Sequence, residues 1–391
     1  MRIGLNLLYL LPGRSGGTET YAAGLINGLA EVGSENEYIV FLNEESAAWP
    51  LPQLANFHRV ICPVAATSRA RRYFYEQLIF PRLIKQHRLD LLHSLGYVAP
   101  LLIGCPSVVS TLDIVYDSPG GYSFPKKQLL RYLVNSAARK AQHIVTISEA
   151  SSQQIVSGLN VSPDKITVTL LAPRDRPAVA AAADRSVVDR LGVTGDYLLA
   201  FSSTSPNKNI PLLLETFSQL PSELSANLKL VLCGHEPLRG TPLRNLTDEL
   251  GLQDRVLFTG YLSDEDLPKV LAHARVFVFP SLYEGFGLPI LEAMQAGVPV
   301  ASSNAASLPE VCGDAALLFD PRSPAALRSV LERLLTDRDL CAELIAKGYA
   351  NLERFSWKFT AEGTLQVYRQ VLSGSAAARD SHFNKETSVA V

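Results

Sequence analysis

The sequence predicts an α/β protein made of two doubly wound, parallel-sheet domains in tandem. Three observations carry this. Short apolar runs alternate with segments of helical period along nearly the whole chain, the pattern of strands covered on both faces by helices. The 391 residues exceed what one core usually holds. The alternation breaks once, around 173–190, where Pro173, Pro177 and an alanine-rich, charge-studded stretch read as a linker.

In the first half, strands are expected at Ile3–Leu8, Tyr38–Leu42, Arg59–Cys62, Leu89–His93, Ser107–Thr111, His143–Ile147 and Ile166–Thr169. Helices fall between them, for example Glu19–Glu31 and Phe74–Gln86. The second series runs Tyr197–Phe201, Lys229–Cys233, Val256–Phe258, Val276–Pro280, Val300–Ser302 and Ala316–Phe319. The domains are therefore drawn as 1–172 and 196–356, with a linker at 173–195. A last helix over 357–372 returns toward the first domain, and 373–391 reads as a disordered polar tail. Ligands of such sheets bind at the carboxyl ends of the strands, so the expected site is a cleft between the domains that closes on the ligand.

Composition excludes several classes. With 47% hydrophobic and 19% charged residues the chain is ordinary globular material, not coiled coil or collagen. The net charge of −2 argues against nucleic acid as a partner. Residues 1–172 nevertheless carry fifteen Lys/Arg against twelve Asp/Glu, and the remainder twenty-one against twenty-six. The excess sits at 68–88, with Arg69, Arg71 and Arg72, and at 126–140. Either stretch is a solvated helix face or a surface for an anionic partner. Five scattered cysteines, never spaced as CxxC, point to neither a disulfide framework nor zinc, and to a reducing, cytoplasmic setting. No apolar run reaches the ~18 residues of a spanning helix, and Asn6 interrupts the first one, which reads as a buried strand.

Three loops carry chemistry. Gly13-Arg14-Ser15-Gly16-Gly17 follows the first strand and opens a helix, where glycine backbone approaches an anion. Alone this is a weak signal, and it is not GxGxxG. In 279–294, Glu284 precedes a helix whose first turn contains Pro289, leaving the amides of Phe286, Gly287 and Leu288 for a phosphate or sugar oxygen. Glu292 follows inside that helix; it is either a hydroxyl ligand or an acid favoured by the helix dipole. Lys208, after Asn207 at the end of the first strand of the second domain, is either a solvated lysine or the partner of a diphosphate.

Taken in order, these segments resemble the retaining nucleotide-sugar glycosyltransferases of family 4, which have the GT-B fold. The resemblance runs over 1 to about 372. It rests on the Gly16-Gly17 loop, Asp90 to His93, Ala141 to Glu149, Pro206–Asn209, Phe258 to Tyr261, the Glu-x7-Glu pair at Glu284 and Glu292, Gly297 to Val300, and Leu308 to Val311. It implies that Lys208 holds the donor diphosphate. Glu284, Phe286, Gly287 and Leu288 lie against donor sugar and phosphates, Glu292 binds ribose hydroxyls, and Gly16 and Gly17 close on the diphosphate. Glu284 and Lys208 are the residues expected to carry catalysis, with a phosphate oxygen taking the acceptor proton. No metal or other cofactor is expected.

Two positions depart from that family. Leu112 precedes Asp113 where His-Asp is usual, and no Arg accompanies Asn207 and Lys208. Arg14 is a candidate substitute for the missing charge, and His93 a candidate cleft residue, although a lone His is more often structural. The segment Arg71 to Gln77 resembles transferases of surface polysaccharides. The implied activity is hexosyl transfer, mannose from GDP-mannose being favoured, to a growing glycan or lipid-linked acceptor. Arg69, Arg71 and Arg72 would meet a membrane surface from the cytoplasmic side. The alternatives are a weakened, donor-binding scaffold and, less favoured, a nucleotide-sugar epimerase.

Overall fold

The structure is a computed structural model. It describes residues 1–391 except 114–123, 175–183, 204, 239 and 388–391; of 124–126 and 375–387 only the backbone is described. The chain forms two compact units, Met1–Ala172 together with Ser356–Val391, and Pro173–Phe355.

The first unit holds β1 (Arg2–Asn6), β2 (Glu37–Leu42), β3 (Phe57–Ile61), β4 (Leu91–Ser94), β5 (Ser107–Ser110), β6 (His143–Thr146) and β7 (Ile166–Val168). They pair in the order β3-β2-β1-β4-β5-β6-β7, all parallel. Leu5, Val40, Leu92, Val109 and Val145 are fully buried, which is why the strands read as apolar runs rather than alternations. β3, at the edge, is largely exposed. The chain order reverses between β1 and β4, so the crevice beyond Asn6 and Ser94 is this sheet's switch point.

The second unit holds β8 (Tyr197–Ser202), β9 (Lys229–Gly234), β10 (Val256–Gly260), β11 (Val276–Phe279), β12 (Val300–Ser303) and β13 (Leu317–Phe319). Their parallel order is β10-β9-β8-β11-β12-β13. The reversal here lies between β8 and β11. The strands match expectation to within one or two residues at each end.

Three elements differ from expectation. The single helix expected over Phe74–Gln86 is a composite: α over Arg69–Phe74, a π turn over Tyr75–Ile79, and α again over Phe80–Gln86. Pro81 lacks an N–H and crowds the carbonyl four residues back, so the ladder widens and the Phe80 N–H reaches Tyr75 O instead. The extra residue turns Tyr75 and Glu76 both inward.

The expected linker is short. Ser186–Arg190 is a helix of the second unit with Val187 and Val188 buried, tied by Arg190–Asp266 and Lys269–Asp184 ion pairs. Residues 175–183 of that linker lie outside the described residues. Finally, the last helix spans Trp357–Thr387, well into the expected tail. The alanines at 376–378 are strong helix formers.

That last helix packs on the helix Gly17–Val32 within the first unit. A Cβ on Gly24 would stand 2.1 Å from the Trp357 ring, and one on Gly28 would stand 2.3 Å from the Trp357 carbonyl. Only glycine allows the two backbones to approach so closely.

Candidate active site

In the second unit, two loops at the switch point are stitched together. β8 leads into a 3₁₀ turn, Pro206–Lys208, closed by Asn209 in the left-handed region at φ 53°. Asparagine tolerates that conformation better than most residues. Its side-chain amide donates to Pro280 O at 3.1 Å and Pro321 O at 2.8 Å. The Leu282 N–H donates to Asn207 O at 2.7 Å. Asn207 thus serves the site through its backbone.

This stitching brings Lys208 to Glu284. Nζ donates to Oε1 at 2.6 Å and stands 4.9 Å from the centre of the Phe279 ring. The two side chains keep 24% and 21% of their exposure, so the pair is half-sheltered and open to exchange with an incoming anion.

The Glu284 loop is pinned from below. Ser307, fully buried, places Oγ 2.6 Å from Phe286 O and 3.0 Å from Glu284 O. Ser307 is not among the expected site residues; the segment after it, Leu308 to Val311, carries only the family resemblance.

Gly287 begins the helix Leu288–Gln295 with φ 127°, and a Cβ there would stand 2.9 Å from Leu308 Cδ2. Glycine is therefore required on both conformational and steric grounds. Phe286 is buried edge-on against Phe355, so any contact it makes with a donor is through its backbone. Leu288 and Glu292 are half-buried, Glu292 on the second turn of that helix.

In the first unit, the glycine loop is exposed at its tip, and space around Gly13, Gly16 and Gly17 is open. Gly16, at φ 52°, caps the helix Gly17–Val32. Glu19 in the first turn accepts from the Gly13 N–H at 2.9 Å and from Trp49 Nε1 at 3.2 Å, which holds the loop against the unit.

Beside the loop, at the switch point, is a cavity of about 290 Å³. Arg14, Arg69, Arg72, Glu76 and Leu112 are on its wall. Arg14 is exposed, as a residue substituting for a missing charge would have to be. Asp113 is half-buried and borders 114–123, which lies outside the described residues.

Two expectations are corrected. His93 lines no cleft: it is fully buried on β4. Its Nδ1 lies 2.6 Å from Tyr368 Oη and its Nε2 2.7 Å from Ser110 Oγ, which in turn is 2.7 Å from Tyr21 Oη. Burial lowers its pKa to about 3, so it is a neutral core histidine that ties the last helix to the sheet.

Arg72 is likewise no part of an exposed basic surface. It is 8% exposed and faces Glu76, whereas Arg69 and Arg71 are exposed.

The family model described as Glycosyltransferase Family 4 matches residues 15–170, and that described as Glycosyl transferases group 1 matches 190–351. The chain is 36% identical over 253 residues to O-antigen chain mannosyltransferase B of Escherichia coli, a match covering 62% of this chain and 65% of that protein.

Among solved structures, sucrose-phosphate synthase from Thermosynechococcus elongatus superposes with a TM-score of 0.76 at 20% identity, over 96% of this chain and 100% of that one. Anabaena HepE, in complex with UDP and glucose, superposes with 0.71 at 21% identity over 95% and 100%. Both likenesses are of fold. The two matched models, the two parallel sheets and the switch-point loops agree: the chain belongs to the GT-B glycosyltransferases.

Proposed function

We propose that the chain transfers a hexosyl group, mannose from GDP-mannose, with retention of configuration, to a growing glycan or lipid-linked acceptor in polysaccharide biosynthesis. The Lys208–Glu284 pair carries this reading. The resemblance gives Lys208 to the donor diphosphate and Glu284 to the donor sugar, and the two are already in contact at the ends of β8 and β11.

Chemically, the acceptor oxygen bonds to the anomeric carbon as the bond from that carbon to the diphosphate oxygen breaks. The proton passes from the acceptor hydroxyl to the departing diphosphate, so the step asks for no protein base and no metal. The dominant barrier is charge on the leaving group, which Lys208 and the amides of Gly287 and Leu288 are placed to offset. Similarity to an O-antigen mannosyltransferase supports mannose and a glycan acceptor, and the UDP-bound HepE supports a nucleotide-sugar donor.

Membrane association at the cytoplasmic face is part of the proposal. Phe74, Leu78 and Ile79 are 60%, 55% and 41% exposed in the same segment as the exposed Arg69 and Arg71. An apolar patch with basic neighbours suits the surface of an anionic leaflet. No helix among the described residues is long and apolar enough to cross a membrane.

Nucleotide release from GDP-mannose, UDP-glucose, UDP-galactose and UDP-GlcNAc, with Glu284→Ala and Lys208→Ala beside the parent, tests the reading. Release from GDP-mannose that fails in both variants is expected. Binding without release, even with lipid-linked acceptors, would favour the donor-binding scaffold, a second reading supported by Leu112 standing where the family usually has histidine.

A further inference from the structure

The cavity in the first unit contains a defect that the fold does not repair. Glu76 is 2% exposed and Arg72 8%. Glu76 Oε1 accepts from Asn6 Nδ2 at 3.2 Å. Its other oxygen, Oε2, lies 3.6 Å from Arg72 Nε, too far for a hydrogen bond, and neither atom has another partner.

A buried carboxylate oxygen and a buried guanidinium N–H left unpaired each cost free energy, and folds rarely retain both. Here the π turn at 75–79 is what turns Glu76 inward. Both residues are on the cavity wall, with Tyr9, Tyr73 and Tyr97. As the side chains stand, solvent does not reach the two unpaired atoms. A ligand hydroxyl reaches them only if one of these side chains turns toward the cavity, and that movement is part of what is proposed here.

The chemistry of the gap selects its partner. A carboxylate only accepts and a guanidinium only donates. A hydroxyl does both, so one hydroxyl satisfies the pair, donating to Oε2 and accepting from Nε. A phosphate oxygen cannot donate to Oε2 and is repelled there by Glu76, although Arg14 and Arg69 on the same wall would attract it, so an anion is the competing occupant. Tyr9 and Tyr97 on the wall are aromatic surfaces of the kind that suit the C–H faces of a sugar ring, while the Tyr73 ring already carries the Arg72 guanidinium at 4.8 Å. A volume of about 290 Å³ lies at the lower edge of ligand pockets, the scale of one monosaccharide rather than a nucleotide sugar.

We propose that this cavity seats a neutral hexose of the acceptor, and that Glu76 and Arg72 recognise one of its hydroxyls. The assignment of that hexose to the acceptor rests on the transferase reading above; the hexose site itself does not.

Saturation-transfer NMR on the full chain without donor tests it, using methyl α-D-mannoside, methyl α-D-glucoside and methyl α-D-galactoside as probes. At least one should receive saturation from the protein. Glu76→Gln, which keeps the side-chain volume, and Arg72→Met should each weaken binding about tenfold. GDP binding and the melting temperature, read in the same samples, identify a variant that has merely unfolded. If Arg72→Met unfolds, Glu76→Gln decides alone.

The proposal falls if no hexoside binds the parent, or if Glu76→Gln binds as the parent does. It also falls if mannose 6-phosphate binds more tightly than the neutral sugar and is indifferent to Glu76→Gln, for then the cavity is an anion site. Hexoside binding without turnover of any donor would sink the transferase reading and leave the hexose site standing. Donor turnover without hexoside binding would do the reverse.

Discussion

The two switch points handle the same problem, a basic side chain beside a glutamate, in opposite ways. In the second unit Lys208 and Glu284 touch at 2.6 Å with about a fifth to a quarter of each side chain exposed. In the first, Arg72 and Glu76 stand 3.6 Å apart and sealed, with one atom of each unpaired. The first arrangement costs little to hold and little to break, because water screens it. It suits a group that must release its partner when a charged ligand arrives. The second is costly to bury, and burial pushes the Glu76 pKa up against the pull of Arg72. Exchangeability and unmet hydrogen-bonding capacity are two ways to prepare a site, the former for an anion, the latter for a hydroxyl.

The difference can be broken most sharply at its open end. Lys208→Ala should cost about 2.7–4 kcal/mol of transition-state stabilisation, a fall in kcat of roughly a hundredfold to a thousandfold. Single-turnover kinetics would check this, and a fall below about threefold would remove Lys208 from the leaving-group role.

Next is the backbone beneath Glu284. Gly287→Ala forces a side chain into φ 127° and against Leu308. A loss of about 1–3 kcal/mol is expected from such strain. Urea unfolding would read it, and an unchanged midpoint would mean the loop relaxes freely.

The buried network of the first unit sharpens the contrast through pH. The unfolded His93 binds a proton below about pH 6.5, whereas the folded one, with its pKa lowered to about 3, does not. The unfolded state therefore binds more protons in that window, and stability falls as pH falls through it, by about 1.4 kcal/mol per unit from this group alone. His93→Gln, which keeps a donor and an acceptor, should flatten the slope between pH 6 and 4.5. Equal slopes for the two proteins would contradict the buried, neutral assignment.

The smallest effect is at the surface. Arg71→Ala should weaken association with anionic liposomes by about 1 kcal/mol, and less at high salt. Arg72→Ala should not act through charge at the membrane, because Arg72 is buried. Equal effects of the two on association would return Arg72 to the surface.

What the sequence made legible follows from the physics of each element. Buried parallel strands are continuous apolar runs, so β1, β8 and β11 were visible to within a residue or two. The Glu284 loop was visible because glycine and proline are demanded by its backbone. The inward turn of Arg72 was not: among Arg69, Ala70, Arg71 and Arg72 nothing local distinguishes the buried arginine from the exposed ones, and the distinction is made by the tertiary neighbours this helix meets, Glu76 among them. Ser307 was equally silent, since a serine that braces two carbonyls reads like any loop serine. His93 lies on a strand whose four residues are all buried, and its partners Ser110 and Tyr368 are 17 and 275 positions away.

That longest of these separations bears on how the chain is made. The first unit is discontinuous, and its final helix follows the whole of the second unit. A nascent chain leaving the ribosome therefore presents the glycine face of Gly24 and Gly28, and a His93 lacking one of its two partners, for roughly ten to forty seconds while residues 173–355 are added. The second unit, continuous in sequence, is expected to finish first although it begins second. Release of the Trp357–Thr387 helix then acts as the latch that completes the first unit, after the whole of the second has been made.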